Sequence, residues 1–350
     1  MRPGDRLRGP PAERTPLELL EFGVINLDKP PGPSAHQVSG WVRNLLVDTA
    51  TTLATPNENA GGDDTDDGRD STDDGRDGGS GDGWGIGIDR AAHAGTLDPK
   101  VTGCLPVLTG AATRLSGALL TPKEYVTVLE AHKGLPADFE DIVREFVGPI
   151  CQKPPRKSAV ARRLRVREVY GIEVLDTDAR RALLRISCES GTYVRKLCHD
   201  LGLALGTGAH MGDLRRTRAE PFSDAGLVTL HGLVDALAFA AEGEVKPLAE
   251  VVQPAERALT HLPCVEIADS AAREVANGAP VYAPGALAYR SPESPLSGGR
   301  STPSGSTQNG SEPPLVGCYT PEGAAICLGR LVGDPNAERG TVVDTERVLV

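Results

Sequence analysis

The chain has 350 residues, 39% of them apolar but only 4% aromatic, and a formal net charge of −11. That length accommodates one large domain with a small one, or two medium ones, around cores built mainly of Val, Leu, Ile and Ala. The longest apolar run, around Leu233 to Ala241, is far too short to span a bilayer, and the polar, Pro- and Arg-rich Met1–Arg14 does not read as a secretory signal. Seven Cys without a CxxC pair argue against a disulfide framework and a zinc ribbon, so a reduced, cytoplasmic setting without metal or membrane partner is expected. The charge is unevenly spread. Residues 58–90 hold eleven acids against three Arg, a local net of −8, which leaves −3 for everything else. Whole-chain charge therefore says little about any one face.

In chain order, residues 1–15 read as a tail, and Phe22 to Leu27 as a short strand. Ser34-x-x-Gln37 forms a capping box opening a helix in which Val38, Trp41, Val42, Leu45 and Leu46 follow the 3.6-residue period. Residues 48–89 read as an acidic insertion. Within 61–90 lie ten Gly and ten Asp, and Thr-Asp-Asp-Gly-Arg-Asp occurs at 65–70 and again at 72–77. So little apolar surface cannot offset the entropy of ordering. Asp63, Thr65, Asp67 and Gly68 loosely match the start of a calcium loop, but the twelfth position is Asp74 and no amphipathic helices flank it. A solvated loop is the preferred reading.

Lys123 to Ala131 has the composition of a strand, and Asp138 to Phe146 that of a short helix. Glu168 to Leu175 and Arg181 to Cys188 read as a strand pair around a polar turn, followed by a helix over Thr192 to Leu205. Strands mixed with helices, without regular βαβ alternation, predict an α+β fold on a mixed, largely antiparallel sheet. After about residue 260 come short strand candidates separated by Gly/Pro turns: Cys264–Ile267, Pro280–Ala283, Leu315–Tyr319, Ala325–Val332 and Gly340–Val350. They suggest a small β-barrel-like domain over 259–350, behind a larger domain over 16–258. Residues 291–314, with seven Ser, five Pro and four Gly, read as a flexible insertion in it.

Three segments carry chemistry. In His93 to Gly103, Gly95 and Gly103 permit tight turns and Pro99 fixes the chain just after Asp98. Asp98 is either presented by that turn or simply caps it through its side chain. In Ser190 to Lys196, Arg195 falls in the first turns of a helix, where a cation opposes the dipole and is best explained by an acid holding it. Asp98 is the candidate acid; a chance surface pair is the alternative. Third, Lys153 to Arg167 carries Lys153, Arg156, Lys157, Arg162, Arg163, Arg165 and Arg167. On an extended strand Arg163, Arg165 and Arg167 would share a face, as a phosphate track or as a charge-protected sheet edge.

Together these segments resemble the TruB/dyskerin family of pseudouridine synthases. The resemblance rests on Gly23–Ser34, Gly95–Pro99, Lys123–Tyr125, Lys157–Val160 with Arg162–Arg167, Gly191–Arg195 and Leu214–Arg218, all in the family's order. The Pro-Pro-Gly-Pro-Ser-Ala-His form at 30–36 and the basic strand look like the archaeal and eukaryotic guide-RNA branch, and the region from about Leu262 resembles a PUA domain. The resemblance implies that Asp98 is the catalytic aspartate, Tyr125 the aromatic residue packing on the target base, and Arg195 the partner of the aspartate. It implies that Leu214 lines the pocket and Lys29 supports the catalytic loop, with Arg156, Lys157, Arg162, Arg163, Arg165 and Arg167 on RNA. No cofactor is implied. The expected substrate is tRNA or rRNA, and the expected partners are an H/ACA guide RNA and small accessory proteins. Stand-alone modification of uridine 55 in tRNA, or a non-catalytic RNA-binding scaffold, are the alternatives.

Overall fold

A computed structural model describes residues 7–54, 88–154, 161–292 and 312–350. Arg156, Lys157, the calcium-loop-like Asp63–Asp74 and most of both expected insertions lie outside the described residues.

The chain opens on α1 (Pro16–Glu21), capped by Thr15, whose hydroxyl accepts from the Glu18 N–H while the Glu18 carboxylate accepts from the Thr15 N–H. β1 (Gly23–Lys29) turns into α2 (Ala35–Ala54). The expected capping box forms there: Ser34 Oγ accepts from the Gln37 N–H at 3.2 Å, and the Ser34 N–H donates to Gln37 Oε1 at 2.9 Å. α2 runs through Asp48–Ala54, past the expected start of the insertion, because Leu46 and Ala50 prolong the buried stripe of Val38 and Val42. At the far end Ile88 is buried, so the 48–89 insertion is shorter than expected on both sides.

β2 (Ala91–His93), β3 (Thr102–Thr109), β4 (Lys123–Ala131), α3 (Phe139–Arg144), β5 (Gly148–Gln152), β6 (Arg165–Thr177) and β7 (Arg181–Cys188) follow. Then come α4 (Val194–Ala204), β8 (Ala209–Ala219), β9 (Phe222–Ser223), α5 (Leu230–Ala241), α6 (Lys246–Val251) and β10 (Gln253–Pro254). The sheet runs β10-β1-β3-β8-β4-β7-β6-β5, with β2 beside β3 and β9 beside β8. Along this path only β3–β8 is parallel, so the mixed, largely antiparallel expectation holds. β4 alternates as a strand with one buried face should: Lys123, Tyr125, Thr127, Leu129 and Ala131 are buried, and the residues between them only partly so. The parallel β3–β8 contact is close. A Cβ on Gly103, whose φ is +97°, would stand 2.3 Å from the Arg216 carbonyl oxygen.

The C-terminal unit comprises β11 (Cys264–Ile267), α7 (Asp269–Ala276), β12 (Val281–Tyr282), β13 (Ala286–Arg290), β14 (Leu315–Tyr319), β15 (Ala325–Leu331) and β16 (Thr341–Val348). Its sheet is β12-β16-β15-β14-β11-β13, over a core that includes Val265, Ile267, Val275, Val316, Ile326 and Val343. A second core joins this unit to the larger one, with Phe22, Leu108 and Leu115 meeting Ala325, Leu328 and Leu349.

The segment before α1, expected as a tail, is docked from residue 7 onward. Leu7 packs on the C-terminal core. The Arg14 side chain is 1% exposed and forks onto both Glu256 oxygens at 2.6 and 2.8 Å. The Arg8 guanidinium lies 4.1 Å over the Phe22 ring and donates to the Leu349 carbonyl. Among the described residues no helix is long and apolar enough to cross a membrane.

Candidate active site

Asp98 stands on the loop joining β2 to β3, and the chain on either side of it is pinned. Leu97 and Val101 are buried, which leaves Asp98 outward between two anchors. The Val101 N–H donates to the Asp98 carbonyl at 3.0 Å, closing a turn through Pro99. The turn after β1 braces the same loop, with the Gly32 N–H donating to Pro99 O at 2.9 Å and the Ala35 N–H to Leu97 O at 3.4 Å. Beneath it lies Lys29, fully buried. Its Nζ donates to the carbonyls of Pro30, Pro99 and Val101 at 2.9, 3.0 and 2.8 Å, using every proton it carries. Burial pushes the Lys29 ammonium down from its ordinary value, and the negative charge of Asp98 opposes that shift. The support expected of Lys29 is thus a set of three backbone contacts.

Arg195 arrives from the other half of the sheet. β7 ends in a turn in which the Thr192 N–H and hydroxyl both donate to Glu189 O, at 3.2 and 2.8 Å. Gln152 on β5, 2% exposed, then fixes Tyr193 at both backbone groups: it accepts from its N–H at 2.9 Å and donates to its carbonyl at 3.2 Å. α4 starts from this clamp, and Arg195 in its first turn forms an ion pair with Asp98. The expected partnership is therefore made. The capping alternative is not what occurs, since the turn is closed by the Asp98 carbonyl while the carboxylate goes to Arg195. Both side chains remain about half exposed, at 50% for Asp98 and 47% for Arg195. A pair so open is accessible to a macromolecule. One recess beside Phe146, Cys151 and Lys196, and another between Glu256, Leu262 and Tyr319, both lie away from Asp98.

Tyr125 projects from the buried face of β4, 9% exposed, directly opposite Arg216 on β8. Burial raises its phenol, while the positive charge of Arg216 acts the other way. Leu214, two residues earlier on β8, is partly buried against the core that contains Tyr125. Tyr125 and Leu214 thus share one cluster, and Arg216, opposite Tyr125 in the register, reaches the loop of Asp98 by donating to Gly95 O at 3.3 Å.

Two buried cations here escaped the reading of the sequence. Arg216 is 1% exposed and Lys123 3%. Both sit inside motifs that signalled the family, but nothing local marks an arginine or lysine as interior; the signal lies in the sheet order that carries β8 between β3 and β4. Lys123 Nζ donates to Leu119 O at 3.0 Å and to Thr121 Oγ1 at 2.8 Å. Burial, with the nearby charge of Arg216, brings it down to about 7. A lysine lowered in the folded state binds fewer protons there than in the unfolded chain, so it makes stability rise with pH between those two values. Unfolding free energy, measured by urea titration, is expected to rise by on the order of 2 kcal/mol between pH 7 and pH 9, and Lys123→Met to remove that rise. A wild-type chain equally stable at both pH values would contradict the buried charge.

The basic row is only partly a row. β6 begins at Arg165, so Arg162 and Arg163 precede the strand and are exposed; Arg162 Nε donates to Pro154 O at 3.2 Å. Arg167 Nη1 donates to Glu189 Oε1 at 2.8 Å, bracing the turn that leads to Arg195. Strand alternation places it on a face but does not show the acid that stands beside it. Arg165 and Arg167 share β6 and one face of it as expected, but Arg163 precedes the strand, and Leu164 and Val166 are exposed. Among the described residues no group of three or more His, Cys, Asp or Glu is placed to hold a metal ion.

Comparison with known proteins covers the whole of this arrangement. Residues 84–136 match the TruB family pseudouridylate synthase N-terminal domain, residues 195–260 the tRNA pseudouridylate synthase B C-terminal domain, and residues 9–39 the DKCLD (NUC011) domain. A relative described as a probable tRNA pseudouridine synthase B, from Halobacterium salinarum, is 53% identical over 98% of this chain and 99% of its own. One from Pyrococcus horikoshii is 44% identical over 79% of this chain and 72% of its own. Among solved structures, a chain of a Cbf5-Nop10-Gar1 complex superposes with a TM-score of 0.75 at 36% identity, covering 100% of this chain and 96% of that one. A chain of an H/ACA ribonucleoprotein bound to a substrate RNA containing 2′-deoxyuridine gives 0.74 at 33% identity, covering 100% and 97%.

Proposed function

The chain belongs to the TruB family of pseudouridine synthases, RNA uridine isomerases, and from that footing we propose that it is the catalytic subunit of a guide ribonucleoprotein, with Asp98, Tyr125 and Arg195 as its catalytic set. The observation that carries the site assignment is the Asp98–Arg195 pair, assembled from two distant segments on a loop that Lys29 pins from below.

The reaction breaks the bond between N1 and C1′ of uridine, turns the base and rejoins it through C5. It needs neither an oxidant nor a group donor, so the residues act alone. A carboxylate at C1′ serves as nucleophile or as the counter-charge of an oxocarbenium-like sugar, as in glycosidases. The uridine must leave its stack, which costs a few kcal/mol, and an aromatic wall such as Tyr125 returns part of that cost. Leu214 lines the apolar side, while Arg162, Arg163 and Arg165 lie at the start of β6 where a phosphate backbone could run. The C-terminal unit, taken as a PUA domain over residues 259–350, supplies further RNA surface. A cytoplasmic location goes with this reading.

The solved neighbours support the guide-dependent assignment, because they match over nearly their full length and stand in complexes with Nop10, with Gar1 or with substrate RNA. A second reading, guide-free action on tRNA, is favoured by the description of the curated relatives as tRNA pseudouridine synthase B. Purified protein is to be assayed on bare tRNA, and on an unmodified target RNA with and without guide RNA and accessory proteins. Pseudouridine only in the guided arm supports the first reading, pseudouridine in bare tRNA the second, and none in any arm leaves an RNA-binding scaffold.

A further inference from the structure

We infer that Arg216 is a positioning residue for the isomerisation, holding the loop of Asp98 and the ring of Tyr125 in one frame. This rests on the assignment of Asp98 and Tyr125 proposed above. Lys29 binds the backbone on the far side of Asp98, at Pro99 and Val101. Arg216 binds it on the near side, at Gly95. The two sites bracket the catalytic residue, and each uses a fully buried cation on backbone carbonyls.

The geometry of Arg216 accounts for its residue type. It sits on β8 at the point where that strand runs parallel to β3, paired with Gly103 on one side and with Tyr125 of β4 on the other. Its Nε donates to Cys104 O on β3 at 2.7 Å, its Nη2 reaches Gly95 O at 3.3 Å, and it stands opposite the buried Tyr125 in the strand register. The loop of Asp98 and strand β3 thus meet at one planar group on β8. A guanidinium spans them because its donors leave a rigid fork in fixed directions; an ammonium on a flexible stem does not hold both carbonyls in that geometry. Gly95 fits the arrangement. Its φ is +100°, and a Cβ there would come within 3.3 Å of Arg216 Nη1, so the loop can lie on the guanidinium only without a side chain. Were β3 and β8 merely to be tied together, an apolar side chain would do so without the cost of burying a charge. The bond to Gly95, beside the buried Tyr125, is what a charged fork adds. Misplacement by about 1 Å at a reacting centre costs on the order of a hundredfold in rate, so a tie of this kind acts on turnover rather than on RNA capture.

The test uses Arg216→Lys, Gly95→Ala and the double variant in the assembled enzyme with its RNA. Single-turnover rates and RNA affinity are measured, folding is checked by circular dichroism, and Asp98→Asn is run in parallel. The expected result is a fall in rate of about 30- to 100-fold for Arg216→Lys with RNA affinity within about twofold of wild type. The double variant should fall well short of the product of the two single effects, since both disturb the same contact between Gly95 and Arg216. Rates for Arg216→Lys within twofold of wild type, or effects that multiply, overturn the inference. An Arg216→Lys chain that does not fold is replaced by Gly95→Ala alone, which crowds the same guanidinium; wild-type turnover there overturns it equally. Turnover retained by Asp98→Asn would instead overturn the site assignment, which keeps the two failures apart.

Discussion

Asn in place of Asp98 is expected to lower pseudouridine formation by about four orders of magnitude or more while leaving RNA affinity nearly unchanged. The substitution keeps the shape of the side chain, and Asn Oδ1 still accepts from Arg195, so the loop has no cause to move. What disappears is the negative charge that must attack C1′ or balance a positive sugar. The loop itself is held by contacts that do not involve the carboxylate: three carbonyls on Lys29, the turn bond from Val101 to the Asp98 carbonyl, and Gly32 on Pro99. Affinity for RNA, spread over a basic surface, does not depend on one half-exposed acid. Filter binding or fluorescence anisotropy beside a pseudouridine assay checks both halves of the expectation. Turnover within tenfold of wild type would transfer the chemistry to another residue.

The elements that were legible in the sequence are those whose pattern is local. The capping box at Ser34 is a four-residue device, and both of its hydrogen bonds form. β4 shows itself by alternation because only one of its faces is buried. β3 was not anticipated, for a physical reason. It is buried on nearly every residue, so it has no period, and Pro106 sits inside it opposite Asn26, where a ladder donor is missing. β8 was hidden by its arginines, which read as surface. The two ends of the acidic insertion were misplaced because composition changes more abruptly than packing does: α2 continues to Ala54 on the strength of Leu46 and Ala50.

The site divides along the same line. That Asp98 and Arg195 pair was inferable, since a cation at a helix N-terminus needs an acid and Asp98 stands in a fixed turn. The supports of the pair were not, because each is a contact between segments that only the sheet order brings together. Gln152 on β5 holds Tyr193, and Arg167 on β6 holds Glu189, each across a strand boundary. Arg167 is the clearest instance. Alternation counts it among its basic neighbours, but only the sheet order shows that it also holds Glu189 at the turn before α4.

Arg195→Met should change stability by no more than about 1 kcal/mol, because an ion pair whose partners are each about half exposed gains little in high dielectric and is screened by salt. Its effect on turnover should be far larger, about 100- to 1,000-fold, of the size seen when a preorganised charge is removed from a reacting centre. The two effects separate because they refer to different states. In the free protein water solvates Asp98 and Arg195 almost as well as they solvate each other. When RNA covers them water is displaced, the effective dielectric falls, and the guanidinium becomes the carboxylate's chief counter-charge and its guide toward C1′. Arg195→Lys, which keeps the charge but not the planar fork, should fall between wild type and Met. Thermal melting paired with single-turnover rates decides the matter. A variant that loses several kcal/mol but turns over normally per folded molecule would make the pair a structural strut, whereas an intact melting curve beside a collapsed rate places Arg195 in the chemistry.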